Sequence, residues 1–236
     1  MRLLPFVVAY VQGVHPVPAY LVQTDDGRNI LIDTGYRAGS YGEVPGSADA
    51  FITVAPEGTI IEQLAAIGVL PGDIDILVAT HLDGDHAGFH DAFPNAEIVI
   101  QRGHLAFARD FPGIRMAGGR RWWDAPGLRY REIEGDTELL PGVELIASGG
   151  HVPGHQSVLL LLPETGPVLL AIDAIPALAY ADPDVDRFPS DLDPVASTES
   201  VRKLNGLAAE RDVTLVVYGH DAEQWKELRI APDFYA

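Results

Sequence analysis

The chain has no cysteine. That removes disulfides, thiolate ligands and thiol nucleophiles together, so any metal must be held by histidine and carboxylate. Basic residues are scarce: 16 Lys plus Arg stand against 34 Asp plus Glu, a formal charge of −18. Such a surface repels phosphate backbones and anionic headgroups, so neither nucleic acid nor a membrane is an expected partner. Long apolar runs are missing too. Leu3–Val11 contains Pro5 and follows a single Arg, which reads as a first strand rather than a leader. Nothing approaches the ~20 apolar residues of a membrane helix, so a soluble, cytoplasmic protein is expected. The 236 residues are expected to form one domain, 1–236.

The chain opens on short apolar segments, Leu3–Val11, Ala19–Gln23 and Asn29–Asp33, with Asp25–Asp26–Gly27 marking a hairpin. His15, before Pro16, reads as a loop residue, and Asp33 as a turn former or, alternatively, as a brace for the site below. Residues Tyr36–Pro56 are rich in Gly, Ser, Ala and Pro, a candidate lid. Ile60, Ile61, Leu64 and Ile67 then recur at helical spacing up to Gly68. Strands are expected at Ile74–Ala79, Ala96–Ile100, Arg129–Glu134, Val143–Ala147, Val158–Leu162, Val168–Ile172 and Val213–Tyr218, with helices at Arg102–Arg109, Val195–Ala209 and Glu223–Leu228. This order suggests α/β architecture with two packed sheets and helices outside. His90 and His104 read as structural. Arg120–Trp123 is either packing or a pocket or subunit contact, and it is expected to border the pocket.

Chemistry concentrates in His81-x-Asp83-x-Asp85-His86, directly after an apolar strand. Two imidazoles and two carboxylates on one turn conflict unless a cation joins them. Three later strands each end on a further metal-competent group: Gly150–His151, Ile172–Asp173 and Gly219–His220.

Together these motifs resemble the signature of the metallo-β-lactamase superfamily. The flanks Leu31–Ile32–Asp33–Thr34–Gly35, Ile133–Glu134–Gly135–Asp136, Pro153–Gly154–His155–Gln156–Ser157 and Gly219–His220–Asp221 resemble its N-acyl-homoserine lactone lactonases in particular. The resemblance implies an αβ/βα sandwich of two mixed sheets with helices on the outer faces. It also implies two divalent metal ions, zinc by default with manganese or iron as alternatives. His81, Asp83 and His151 would hold one, Asp85, His86 and His220 the other, with Asp173 between them and His155 outside the set, orienting its loop. The implied function is opening of a lactone ring by a hydroxide held between the metals, Asp85 passing a proton to the leaving oxygen. Alternatives are hydrolysis of another small ester or thioester, or metal binding by a catalytically weak sensory protein. The partner would be a small-molecule lactone or ester; a homodimer is possible.

The chain departs from the family at three places. Asp83 stands where a His is usual, Ser148–Gly149–Gly150 precede His151 in place of Thr-Pro-Gly, and Pro176 replaces a carbonyl-contacting Tyr. Tyr180 and Tyr36 are the candidates to supply that hydroxyl, against ordinary loop or wall roles. With Asp83 the loaded site would be formally neutral, and Asp83→His would leave it positive and its water more acidic.

Overall fold

The computed structural model describes residues 1–41 and 51–236. Strands β1 (Arg2–Val11), β2 (His15–Gln23), β3 (Asn29–Ile32) and β4 (Ile52–Val54) lead to helix α1 (Ile60–Ala66), β5 (Ile76–Val78), β6 (Glu97–Gln101) and α2 (Arg102–Asp110). Two short helices, α3 (Ile114–Ala117) and α4 (Arg120–Trp123), precede β7 (Arg129–Ile133), β8 (Thr137–Leu140), β9 (Val143–Ala147), β10 (Gln156–Leu162) and β11 (Gly166–Ile172). Helix α5 (Pro194–Glu210) and β12 (Leu215–Tyr218) complete the order.

The strands make two mixed sheets, β4-β1-β2-β3-β5-β6-β7 and β12-β11-β10-β9-β8. Strands β3, β5, β6 and β7 run parallel, as do β11 and β12; the other pairings are antiparallel. The two-residue period decides which face each side chain joins. In the first sheet Tyr20, Val22, Ile30, Ile32, Ile76, Val78 and Val99 meet Leu145, Val158, Leu160, Leu170 and Ile172 of the second in one inner core. The alternate residues Leu21, Leu31, Leu77 and Ile98 face outward onto Ile60 and Leu64 of α1 and Leu105 of α2. On the opposite face Leu159, Leu169 and Ala171 pack on Val201 and Leu204 of α5. Helix, sheet, sheet, helix is therefore the layering, with the central strands buried on both sides.

The ends are locally determined. Glu62 accepts from the Thr59 N–H (2.8 Å) at the start of α1, and Asp193 caps α5 by accepting from Val195 and Ala196 N–H, with Pro194 at the first helical position.

Several expectations shift. His15 begins β2, which continues through Pro16 and Pro18 opposite Tyr10 and Val7. Strand β3 pairs only with Tyr20–Gln23, so this half of β2 has an open edge where a missing N–H removes no ladder bond. Within the proposed lid, Ile52–Val54 is strand β4, paired with Ala9–Val11; residues 42–50 of that lid lie outside the described residues. Strand β8 has no counterpart in the sequence reading. The expected helix at Glu223–Leu228 is a single 3-10 turn, Gln224–Lys226. Trp123 is fully buried in the outer-face core and donates Nε1–H to Met116 O (3.2 Å), whereas Trp122 is flanked by the guanidinium groups of Arg37 and Arg121. Packing explains Trp123.

Candidate metal centre

All seven residues singled out by the sequence converge at the C-terminal ends of β5, β9, β11 and β12, on the rim where open α/β sheets place their sites. After β5 the chain turns sharply, His86 and Ala87 N–H both bonding Asp83 O. Asp33 leaves β3 at φ 57° and pins this turn: it accepts from Thr80 N–H (2.9 Å), the Thr80 hydroxyl (2.7 Å) and His86 Nδ1 (2.8 Å). Asp33 is thus the brace rather than a mere turn former. His104 Nε2 accepts from Leu82 N–H (2.9 Å) while its Nδ1 donates to Pro153 O (2.7 Å), tying the loop of His81 to that of His151. Gly150 is required where it stands, because at φ +133° a Cβ would sit 2.2 Å from Ser197 N.

Every converging imidazole is held through Nδ1 by an oxygen. His81 bonds Thr80 Oγ1 (3.0 Å), His86 bonds Asp33 Oδ2 (2.8 Å), His151 bonds Asp191 Oδ1 (3.0 Å) and His220 bonds Pro16 O (2.7 Å). Each Nδ1 therefore carries a hydrogen, and Nε2 is the nitrogen turned inward, the one a cation takes when it replaces a proton there. Asp191 is in turn fixed by the Ser197 hydroxyl (2.6 Å). His155, as expected, lies outside the cage: Nδ1 bonds Ser148 Oγ (2.9 Å) and Nε2 accepts from Asp173 N–H (3.3 Å).

Asp173 divides its two oxygens between two sets. Oδ2 is 3.8 Å from His81 Nε2 and 3.2 Å from His151 Nε2; Oδ1 is 3.5 Å from His86 Nε2 and 3.1 Å from His220 Nε2. Asp83 Oδ2 adds contacts of 3.5 Å to His81 and 3.2 Å to His151, and Asp85 Oδ2 lies 3.8 Å from His86 and 4.0 Å from His220. Ligands about 2.1 Å from a tetrahedral ion stand roughly 3.4 Å apart, so each set has the dimensions of one coordination shell. His81 Nε2, His86 Nε2 and Asp173 Oδ1 are buried with no hydrogen-bond partner among the described residues. Lone pairs stranded this way are costly unless a cation takes them up. The donors fit two metal ions. Burial alone would suppress charge on His86 and His151, yet Asp173 and its neighbouring carboxylates push them up to about 10 and about 9; the cage calls for positive charge. A further grouping of Asp33 with His81 and His86 is possible by distance, but Asp33 already spends both oxygens on Thr80 and His86 Nδ1.

Two residues at the site carry no signal in the sequence. Arg115, from α3, places Nε 2.8 Å from Asp83 Oδ1 and Nη2 2.6 Å from Asp83 Oδ2 and 2.7 Å from His151 Nε2, while Nη1 donates to Ser190 O (2.7 Å). Tyr41 donates its hydroxyl to Asp85 Oδ1 (2.7 Å) and accepts from Gly84 N–H (3.1 Å). A side chain at 84 would strike Ser40 Cβ at 2.7 Å and the Tyr41 ring at 3.1 Å, so Gly84 makes room for that hydroxyl. Neither candidate tyrosine takes this place: Tyr36 packs in the outer-face core, and Tyr180 stacks edge-on against Phe188. Pro176 contributes its carbonyl, which accepts from His220 N–H (2.7 Å).

His90 is structural, as expected. It is fully buried beside the Tyr130 hydroxyl (3.4 Å), and burial lowers its pKa from 6.5 to about 3. The unfolded chain therefore binds a proton here below pH 6.5 that the folded chain refuses until about pH 3, so stability falls as pH drops through that window. Between pH 7 and pH 4.5 His90 alone costs about 2–3 kcal/mol. Urea unfolding of His90→Leu is expected to show that much less acid sensitivity than the parent; equal slopes against pH would contradict a neutral buried imidazole.

Comparison with known proteins agrees with this geometry. The family model of the metallo-beta-lactamase superfamily matches residues 12–220. An N-acyl homoserine lactonase, AiiA, of Bacillus thuringiensis subsp. kurstaki is 32% identical over 227 residues, covering 93% of this chain and 86% of that protein. The N-acyl homoserine lactonase AttM of Rhizobium radiobacter is 34% identical over 236 residues, covering 94% and 88%. A solved N-acyl homoserine lactone hydrolase with the product N-hexanoyl-L-homoserine at its catalytic metal centre superposes with a TM-score of 0.84 at 28% identity, covering 99% of this chain and 98% of that one.

Proposed function

Because the chain belongs to the metallo-beta-lactamase superfamily, we propose that it is a dinuclear metal-dependent hydrolase that opens the ring of N-acyl-homoserine lactones. The observation that carries this reading is the set of four inward Nε2 atoms disposed around the divided carboxylate of Asp173. His81, Asp83 and His151 would hold one ion, Asp85, His86 and His220 the other, and Asp173 both. When bound, such ions supply a water acidic enough to attack near neutral pH and Lewis-acid polarisation of the carbonyl. Zinc suits the mixed nitrogen and oxygen donors, and the oxygen of Asp83 favours manganese or iron more than a further imidazole would. The net charge of −18 supports a small, uncharged substrate over a polyanion.

Asp85 is the proposed proton carrier. Its Oδ2 faces the cage while Oδ1 receives the Tyr41 hydroxyl, so the carboxylate is oriented to pass a proton to the departing ring oxygen. Tyr41 is then the positioning residue for Asp85. Removing a hydrogen bond to a charged group costs about 1.5–3 kcal/mol. Tyr41→Phe is accordingly expected to lower kcat roughly 10- to 100-fold with metal content intact; unchanged kcat would remove Tyr41 from the mechanism.

The test of the function is product analysis. Metal-reconstituted protein is offered N-acyl-homoserine lactones, linear esters, thioesters and β-lactams. The expected product is the ring-opened N-acyl-homoserine. Faster turnover of a linear ester or thioester would reassign the substrate, and silence across the panel at full metal occupancy would leave only metal binding.

A further inference from the structure

The two halves of the cage are not equivalent. Of the inward atoms, His86 Nε2 and Asp173 Oδ1 on the Asp85/His86/His220 side, and His81 Nε2 on the other, have no hydrogen-bond partner among the described residues. Around Asp83 and His151 the inward atoms are claimed, because the same Nη2 of Arg115 reaches Asp83 Oδ2 and His151 Nε2. Those are the atoms an ion in that half needs. A cation entering there must displace charge-assisted hydrogen bonds and settle beside a guanidinium that stays charged at any working pH. One entering the other half meets neither obstacle.

The placement is also built rather than incidental. Arg115 is anchored at Ser190 O through Nη1 and at Asp83 Oδ1 through Nε, and its side chain is only 18% exposed. Nη2 can therefore release the two lone pairs while Nε keeps hold of the carboxylate. Arg115 stands opposite Asp83, the one position where a carboxylate replaces the imidazole usual in the resembling lactonases. The guanidinium returns the positive charge that the carboxylate subtracts.

We infer that Arg115 is a built-in counter-cation of the His81/Asp83/His151 half-site, which competes with metal for Asp83 and His151 and makes the two ions load in order, the Asp85/His86/His220 half first. This rests on the dinuclear reading above. With both ions bound, the Asp83–Arg115 pair is neutral, so the charge around the ions equals that of a site with imidazole at 83.

The experiment is a titration of the metal-free full-length chain with Zn²⁺ by calorimetry, with stoichiometry checked by elemental analysis. The parent is expected to show two binding classes at least about tenfold apart. In Arg115→Met the weaker class should tighten by about tenfold or more while the tighter class stays fixed. Arg115→Lys, which keeps the charge without the planar fork, should give a smaller tightening and decides the matter if the Met variant does not fold. His151→Ala should remove the weaker class alone. Equal classes in the parent, a weaker class that is unchanged or weakened in Arg115→Met, or loss of the tighter class in His151→Ala would each overturn the inference. Stoichiometry that stays at one ion in both the parent and Arg115→Met would instead overturn the dinuclear reading itself.

Discussion

Asp173→Ala is expected to lower turnover by about a thousandfold or more and to reduce bound metal from two ions per chain to one or none. The magnitude follows from its position. Its two oxygens each serve a pair of imidazoles, Oδ2 toward His81 and His151 and Oδ1 toward His86 and His220. Burial alone would favour the protonated acid, yet the surrounding imidazoles hold the carboxyl well below its usual range. It is therefore an anion at the centre of four converging nitrogens, and no neighbour among the described residues replaces it: Asp83 is engaged by Arg115 and Asp33 by Thr80 and His86. The backbone nearby is shaped to admit it, since a Cβ on Gly219 would stand 2.9 Å from Asp173 Oδ1. Elemental analysis together with steady-state kinetics checks the outcome. Two ions retained at activity within about tenfold of the parent would remove Asp173 from the bridging role. Asp173→Asn, which keeps one carbonyl oxygen, should lie between.

What was readable in the sequence was local. His81-x-Asp83-x-Asp85-His86 follows a buried strand within a few residues, and His151, Asp173 and His220 each follow strands of their own, so strand ends and ligands could be read together. The sandwich followed from the same apolar segments, because strands buried on both faces need cover on both. Residues acting across long sequence separations left no such trace. Arg115 reaches Asp83 from 32 positions away and Tyr41 reaches Asp85 from 44, one from a four-residue helix, the other from a stretch with no periodicity. The charge count at Asp83 was incomplete for this reason: a count of ligands alone makes the loaded site neutral, whereas Arg115 adds one positive charge. Asp83→His alone would then oppose a guanidinium with an imidazole and favour metal loss over a more acidic water. The extent of β2 is not legible locally, since Pro16 and Pro18 are compatible with a strand only where its edge is unpaired, and that depends on how far β3 reaches.

Asp33 was half-legible, and its isosteric substitution is expected to have the second large effect. A turn former at the end of a strand is common; that its carboxylate reaches both Thr80 and His86 depends on parallel pairing of β3 with β5, which brings positions 33 and 86 together. As a carboxylate Asp33 only accepts, and that forces His86 to keep a proton on Nδ1 and makes Nε2 the nitrogen that gives up its proton to a metal. An asparagine fills the same space but can turn its NH₂ toward His86. Nδ1 would then accept, the proton would move to Nε2, and that nitrogen would no longer be a metal ligand. Asp33→Asn is thus expected to fold with every residue of the cage present, yet to bind the ion of the Asp85/His86/His220 half about 10- to 100-fold more weakly, with activity at limiting metal falling alongside. Excess metal should recover much of that activity, because the wrong tautomer costs free energy rather than removing a donor. Nitrogen-15 chemical shifts of the His86 ring report the tautomer directly in the metal-free protein above about pH 10, where the ring has lost its second proton. Nε2 unprotonated in Asp33→Asn, together with parental metal affinity, would mean that Asp33 serves only to hold the turn at Thr80.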